Sequence, residues 1–317
     1  MSKLIFTIGL PGSGKTTYAK KAAKTMGGMK WVSSDAIREE LWGDANDQQD
    51  PSKVFRVMHE RTVAALKEGY DVIYDATNLV AKTRTKTLTA IRKEVECEAI
   101  AIFFACSISE CKRRQGDRDR KVPDEVIDRM VRKFEAPWYN EGWDIIWVCP
   151  SGKTQNIDRE HWRMMGESHD NPHHSATLEM HCVNCESNMT DLLKEHDELT
   201  DRGKEMLTEA AYQHDLGKHK TKAFLNSKGE PTDIAHYYNH NNVGAYLWLS
   251  GDKSHRWMNE EFLFIGVLIQ WHMQPFFMRD DDGEYCDNFE KWCMKKGFGT
   301  AFFESVCLLH EADKAAH

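Results

Sequence analysis

Gly9-Leu10-Pro11-Gly12-Ser13-Gly14-Lys15-Thr16 follows the apolar run Leu4-Ile5-Phe6-Thr7-Ile8 and precedes Thr17-Tyr18-Ala19-Lys20-Lys21-Ala22-Ala23-Lys24. Strand, glycine-rich turn and helix form the context that makes G-x-x-x-x-G-K-[ST] a P-loop. The glycines let backbone N–H groups converge on phosphate oxygens, and the helix N-terminus adds positive potential. Gly12, Ser13, Gly14, Lys15, Thr16 and Thr17 are therefore expected to hold a nucleoside triphosphate. Lys15 reaches the β- and γ-phosphates, and Thr16 offers its hydroxyl to Mg²⁺.

Working outward, Met29-Lys30-Trp31-Val32-Ser33 reads as a second strand, followed by Ser34-Asp35-Ala36-Ile37-Arg38. Ser34 or Asp35 suits a helix N-cap. Asp35 equally suits a base that takes a proton from an incoming hydroxyl. Arg38, one turn on, would point the same way, toward the γ-phosphate or the acceptor. Asp71 to Asn78 reads as a third strand ending in polar residues, and ligands of parallel sheets sit beyond strand C-termini. Asp75, Thr77 and Asn78 are thus aimed at substrate, or else close a turn. Ala99–Ala105 reads as a fourth strand, and Trp143–Val148 as a fifth. Between them, the basic run Glu110–Pro123 is a solvated helix face or a lid that brings arginines over the triphosphate.

At 317 residues the chain exceeds the length at which one core normally keeps growing, so two domains are expected. Residues 1–150 carry 25 basic and 22 acidic side chains, which leaves 17 and 28 for the remainder. That acidic second half argues against extended contact with a duplex. No apolar run approaches the roughly 18 residues of a membrane span. With no signal-like leader before the first strand, a cytoplasmic location is expected. The cysteines fall mostly in apolar segments, and Cys182 and Cys185 read as two positions on one helix.

Residues 150–170 are turn-rich and read as a linker. Helical spacing then predicts helices over 177–196, 201–215, 233–249, 259–273, 286–296 and 300–316. Most of the fifteen histidines lie in this half. His214-Asp215 closes a helix before Gly217-Lys218, placing an imidazole beside a carboxylate, both ligands for a divalent cation. His181 and Asp313 lie on apolar-patterned segments, and a buried Asp demands a partner. Asp280-Asp281-Asp282-Gly283-Glu284 reads as an exposed acidic turn.

Two resemblances follow. Gly9–Thr16, Ser34-Asp35 with Arg38, Asp75-x-Thr77-Asn78, and Arg114-x-x-x-Arg118 ahead of Val122-Pro123 resemble the kinase domain of phage-type polynucleotide 5′-kinases. The resemblance implies transfer of a phosphoryl group from ATP or another NTP to a 5′-hydroxyl of RNA or DNA. Asp35 would be the general base, Arg38 would contact the acceptor, and Arg114 and Arg118 would clamp the donor phosphates. His181, His214-Asp215 and Asp313 resemble the HD-domain metal-dependent phosphohydrolases, with neighbouring His173 or His174 as alternatives to His181. That family implies phosphoester hydrolysis at a divalent metal (Mn, Co, Ni, Zn, Fe or Mg), with Lys218 on the substrate phosphate. His240 and His272 would be second-metal ligands, phosphate contacts, or hydrogen-bonded core histidines.

The expected architecture is therefore an α/β P-loop kinase domain over 1–152, a parallel sheet flanked by helices, followed by an all-α HD-type domain over 165–317. Together they imply end healing: 5′ phosphorylation plus removal of 3′-phosphate or 2′,3′-cyclic phosphate, with a ligase acting downstream in a phage or bacterial host cytosol. The alternatives are a nucleoside or small-metabolite kinase fused to a nucleotidase, favoured by the acidic second half, and a non-catalytic nucleotide sensor.

Overall fold

The computed structural model describes residues 1–25, 27–117, 121–172, 176–278 and 286–316. Arg118, His173, His174 and the acidic string 280–284 lie outside the described residues. The chain divides into two units, Met1–Met130 with Pro137–Thr154, and Val131–Ala136 with Gln155–His317.

Five strands make the first unit: β1 (Lys3–Ile8), β2 (Met29–Ser33), β3 (Asp71–Asp75), β4 (Glu98–Ala105) and β5 (Ile145–Pro150). All pair in parallel, in the order β2-β3-β1-β4-β5. Their near-continuous apolar runs suit a parallel sheet covered on both faces. Leu4, Phe6, Ile8, Val72, Ile73 and Phe103 are accordingly fully buried. Helices α1 (Lys15–Thr25), α2 (Ser34–Trp42), α3 (Pro51–Lys67), α4 (Ala81–Arg92), α5 (Ile108–Gly116) and α6 (Asp124–Arg132) flank it. Chain order jumps to opposite sides of β1, which puts the β1–α1 turn at the switch point where α/β sheets bind ligands. A buried pair, Arg84 with Glu141 (2.7 and 2.6 Å), anchors α4 to the loop before β5.

The third strand stops at Asp75, shorter than expected, because Ala76–Asn78 leaves the sheet and Asn78 adopts a left-handed conformation (φ 48°). The expected linker also differs. Residues 157–164 form α7 (Ile157–Met164), capped by Asn156, whose side chain accepts from Arg159 N at 2.7 Å. Ile157 and Met164 are fully buried, and that burial makes this turn-rich stretch part of the second unit.

The second unit continues through α8 (Leu178–Leu192), α9 (Asp201–Gln213), α10 (Lys218–Thr221), β6 (Ala223–Leu225), β7 (Pro231–His236), α11 (His240–Leu249), α12 (Asn259–Trp271), α13 (Cys286–Lys296) and α14 (Thr300–Lys314). It is mainly helical but not all-α. The helix expected over 233–249 begins only at His240, after an antiparallel hairpin of β6 and β7. The hairpin forms because Asn226 Oδ1 accepts from Lys228 N and Glu230 N, which closes a turn at Gly229. Asn239, at φ 62°, then turns the chain into α11. Among the described residues, no helix is long and apolar enough to cross a membrane.

Candidate active sites

In the first unit the β1–α1 loop is shaped by glycines that nothing larger could replace. Gly12 and Gly14 have φ of 88° and 98°, the left-handed region that favours glycine. A Cβ on Gly12 would lie 2.6 Å from the Cys111 carbonyl oxygen, and one on Gly14 2.8 Å from Ser151 Oγ. Ser13 is buried, and Lys15 Nζ donates to the Leu10 carbonyl at 2.7 Å. Gly12, Gly14, Lys15, Thr16 and Thr17 line a cleft of about 860 Å³.

Asp35, Arg38, Asp75 and Thr77 share that cleft. Ser33, rather than Ser34 or Asp35, caps α2, its Oγ accepting from Ala36 N at 3.4 Å. The cap lies one residue earlier than expected because β2 runs directly into the helix. Asp35 is thereby released from capping. Its carboxylate, 48 % exposed, accepts from Arg38 Nη1 at 3.0 Å.

Asp75 is buried at the sheet edge of the cleft. Its two oxygens accept from Thr7 Oγ1 (3.2 Å) and Trp31 Nε1 (3.0 Å). Asn78 turns its amide back, donating to the Thr7 carbonyl at 2.8 Å, which is the turn-closing role. Arg114 stands beside the loop, donating from Nη1 to the Gly12 carbonyl (3.0 Å) and from Nε to Glu110 (2.8 Å). Glu110 was not singled out from sequence. Hydrogen bonds from Arg113 and Arg114 hold its carboxyl down at about 2. An acidic residue in the first turn of a helix, followed by Arg three and four positions on, is the signal that marks it.

In the second unit the helices gather four imidazoles around Asp215. His214 caps the C-terminus of α9, His240 opens α11, His272 caps α12, and His181 lies on α8. Asp215 Oδ2 lies 3.4 Å from His181 Nε2 and 3.3 Å from His214 Nε2. Its Oδ1 lies 3.2 Å from His240 Nε2 and 3.8 Å from His272 Nε2. Asp313 on α14 completes the first group, 2.9 Å from His181 and 3.5 Å from His214. Lys218 Nζ meets Asp215 Oδ2 at 2.6 Å.

Gly217 explains how α10 approaches α11. A Cβ there would fall 2.0 Å from the His240 carbonyl oxygen. With hydrogen in its place the turn after Asp215 closes onto α11.

The donor set fits a divalent cation. The Nδ1 atoms of His214, His240 and His272 face the carbonyls of Ala211, Tyr237 and Ile269 at 2.7, 2.8 and 2.7 Å. Such contacts make Nδ1 the protonated nitrogen and leave Nε2 as a lone-pair ligand. His181 follows, with Nδ1 3.4 Å from the Ala316 carbonyl. Two groups, His181–His214–Asp215 and Asp215–His240–His272, each bring their ligand atoms within 4.8 Å of one another. The local field favours positive charge. Burial opposes charge on His214, yet Asp215, Cys185 and Asp313 outweigh it and lift its pKa well above the ordinary value. Burial would also raise the two carboxyl groups, but Lys218 and His214 at Asp215, and His214 and His181 at Asp313, hold them well below the usual range. Burial, with His214 and His240 nearby, pushes His272 down to about 3.

His169, buried edge-on against His181 with ring centroids 5.4 Å apart, was not singled out from sequence. It lies in the stretch read as linker, where no helical period draws attention to it.

Residues 4–137 match a family described as AAA domain. An L-seryl-tRNA(Sec) kinase of Methanococcus maripaludis is 29 % identical over 148 residues, 45 % of this chain and 56 % of the relative. The chain thus spans little more than half the length of that curated relative. Among solved structures, the Pnkp1/Rnl/Hen1 RNA repair complex is similar at 23 % identity and a TM-score of 0.36, over 42 % of this chain and 43 % of that one. A gluconokinase from Sinorhizobium meliloti 1021 is similar at 17 % identity and a TM-score of 0.35, over 48 % and 83 %. The first unit carries a P-loop on a five-stranded parallel sheet. These likenesses assign it no substrate.

Proposed function

We propose that this chain is a nucleic-acid end-healing enzyme with two activities. The reading is supported by a single chain that holds a P-loop cleft lined by Asp35 and, in its other unit, one carboxylate facing four imidazoles.

In the first unit ATP, or another NTP, lies in the β1–α1 loop. Lys15 and Arg114, with Arg118, neutralise its phosphates, and Thr16 contributes a hydroxyl to Mg²⁺. Asp35 accepts the proton as the 5′-hydroxyl oxygen of an RNA or DNA end attacks the γ-phosphorus. The new O–P bond forms as the bond to the β–γ bridging oxygen breaks, and the diphosphate leaves. Arg38 orients the Asp35 carboxylate through their hydrogen bond, and faces the acceptor. Asp75 and Thr77 wall the cleft on the sheet side.

In the second unit His181, His214, Asp215 and Asp313 would hold one divalent cation, and Asp215, His240 and His272 a second. N/O donor sets of this kind accept Mn, Co, Ni, Zn, Fe or Mg. When bound, the cation supplies Lewis-acid charge to a phosphoester and lowers the pKa of water. Lys218 holds Asp215 and the phosphate of a 3′-phosphate or 2′,3′-cyclic phosphate end. The products, a 5′-phosphate and a free 3′ end, are what a downstream ligase consumes.

The test is end analysis of a 5′-hydroxyl, 2′,3′-cyclic-phosphate RNA incubated with the full chain, ATP and divalent metal. Asp35→Asn is expected to stop 5′ phosphorylation alone, and Asp215→Asn 3′ processing alone. Unchanged ends across Mg²⁺, Mn²⁺, Co²⁺ and Ni²⁺ would overturn the proposal. The acidity of the second half favours a second reading, a small-metabolite kinase fused to a nucleotidase. That reading wins if mononucleotides outcompete oligonucleotides in both assays.

A further inference from the structure

The imidazole–carboxylate cluster opens into a cleft of about 620 Å³ within the second unit, reached past Asp215, Lys218, His240 and Asp313. That volume is of the order of small-molecule sites, roughly 300–1,000 Å³. Its outer wall is aromatic. His236 and Tyr238 are stacked, with ring centroids 5.4 Å apart and planes 9° from parallel. Phe277 lines the same cleft and is 74 % exposed, and Tyr238 keeps 41 % exposure. Large rings left in water beside a phosphate-handling centre are the arrangement on which a nucleobase stacks, and such stacking tolerates any base. The same cleft is lined by amides, Asn239 and Gln274 among them, suited to ribose hydroxyls and base edges. Among the described residues lining the cleft, Lys218 is the only lysine or arginine. A groove that follows a strand by its phosphates needs a row of such cations. This cleft has charge for one phosphate group.

We infer that the second unit grips a single terminal nucleotide, its base against Tyr238 and Phe277 and its phosphate at the Asp215 cluster, either as a strand end or as a free nucleotide. The inference rests on the hydrolase reading above but concerns binding, so the two are separable. The probe is 2-aminopurine, whose fluorescence is quenched by stacking. It is carried as a 3′-terminal nucleotide 3′-phosphate on a short oligonucleotide in one arm and as the free nucleotide in the other. Titrations use the full-length protein loaded with Mn²⁺.

Quenching in either arm is expected, and the tighter arm identifies the source. Tyr238→Ala and Phe277→Ala should each weaken binding roughly 5- to 100-fold. Both side chains are exposed, and circular dichroism verifies that the variants fold. An oligonucleotide whose 3′-phosphate sits on an abasic site should compete poorly against the wild type. Absence of quenching, equal competition by the abasic end, or unchanged affinity in both variants overturns the inference. Quenching without hydrolysis keeps it and removes the hydrolase.

Discussion

The Nε2 atoms of His181 and His214 lie 3.3 Å apart. With the Nδ1 sides turned to carbonyls, both Nε2 atoms face the Asp215 and Asp313 carboxylates, where a divalent cation would take the place of the proton that the carboxylates favour on His214. Metal should therefore stabilise the fold. At about 100 times its dissociation constant a ligand adds about 2.7 kcal/mol. Stripped protein titrated with Mn²⁺ should show a rising thermal midpoint, and Asp215→Ala should abolish the rise. A midpoint indifferent to metal would count against the cluster as a cation site.

Asp35→Asn should reduce phosphoryl transfer by roughly 10²- to 10⁴-fold, the usual contribution of a general base. ATP affinity should hold, because the side chain is half exposed and lies on α2, outside the β1–α1 loop. Isothermal titration with ATP and a radiolabel transfer assay separate the two quantities. Equal loss of binding and turnover would reassign Asp35 to the donor site.

Gly12→Ala forces a Cβ onto the Cys111 carbonyl at a φ of 88°, and backbone strain of this type costs on the order of 1–3 kcal/mol. The loop should shift and nucleotide binding fail. Gly43 offers the control: its φ is 71°, but nothing lies within 4 Å of an added Cβ. Gly43→Ala should retain ATP binding at a modest loss of stability.

Removing one partner of the buried Arg84–Glu141 pair leaves an uncompensated charge, which costs roughly 3–5 kcal/mol. Trp143 Nε1 also donates to Glu141, at 3.2 Å, so the damage from Glu141→Leu reaches the loop before β5. Chemical denaturation should place both single variants well below the wild type, with the Arg84→Met/Glu141→Leu double variant recovering part of the loss.

His161 gives the second unit a pH dependence. Burial outweighs its hydrogen bond with Gln213 and pushes its pKa down to about 4, from an ordinary 6.5. Below pH 6.5 the unfolded chain takes up a proton that the folded protein refuses. Stability is therefore full above that pH and is lost as pH falls toward 4, by up to about 1.4 kcal/mol per unit. His161→Phe keeps the stack on Tyr212 but cannot titrate. Its unfolding free energy should fall less steeply between pH 6.5 and 4 than that of the wild type.

How much of this was visible in the residues depends on range. The β1–α1 loop was legible because turn, strand and helix are all written within about twenty consecutive residues. The α2 cap was misplaced by one residue because Ser33, Ser34 and Asp35 are all good caps, and strand length decides among them. Asn78 reads as well for a ligand as for a turn, and only its amide bond to Thr7 separates the two roles. The hairpin over 223–236 escaped because Ala235 and Val243 share an apolar period that Asn239 interrupts. His214 and Asp215 announced themselves by adjacency, whereas the placement of His181, His240, His272 and Asp313 around them is a product of helix packing.

Val131–Ala136 packs with the second unit, Phe134 edge-on to Tyr246 at 5.2 Å and Ala136 N donating to Gln270 at 2.6 Å, before the chain returns to supply β5. The polypeptide thus crosses between units three times, so no lone stop codon or protease cut yields two intact halves. A fragment ending at Thr154 would carry a phenylalanine stripped of its cover, and one starting at Gln155 would lack Val131, Phe134 and Ala136 from its interior. The two units are consequently inherited, expressed and engineered as one piece. Anyone wishing to study either alone should silence the other by substitution rather than by scissors.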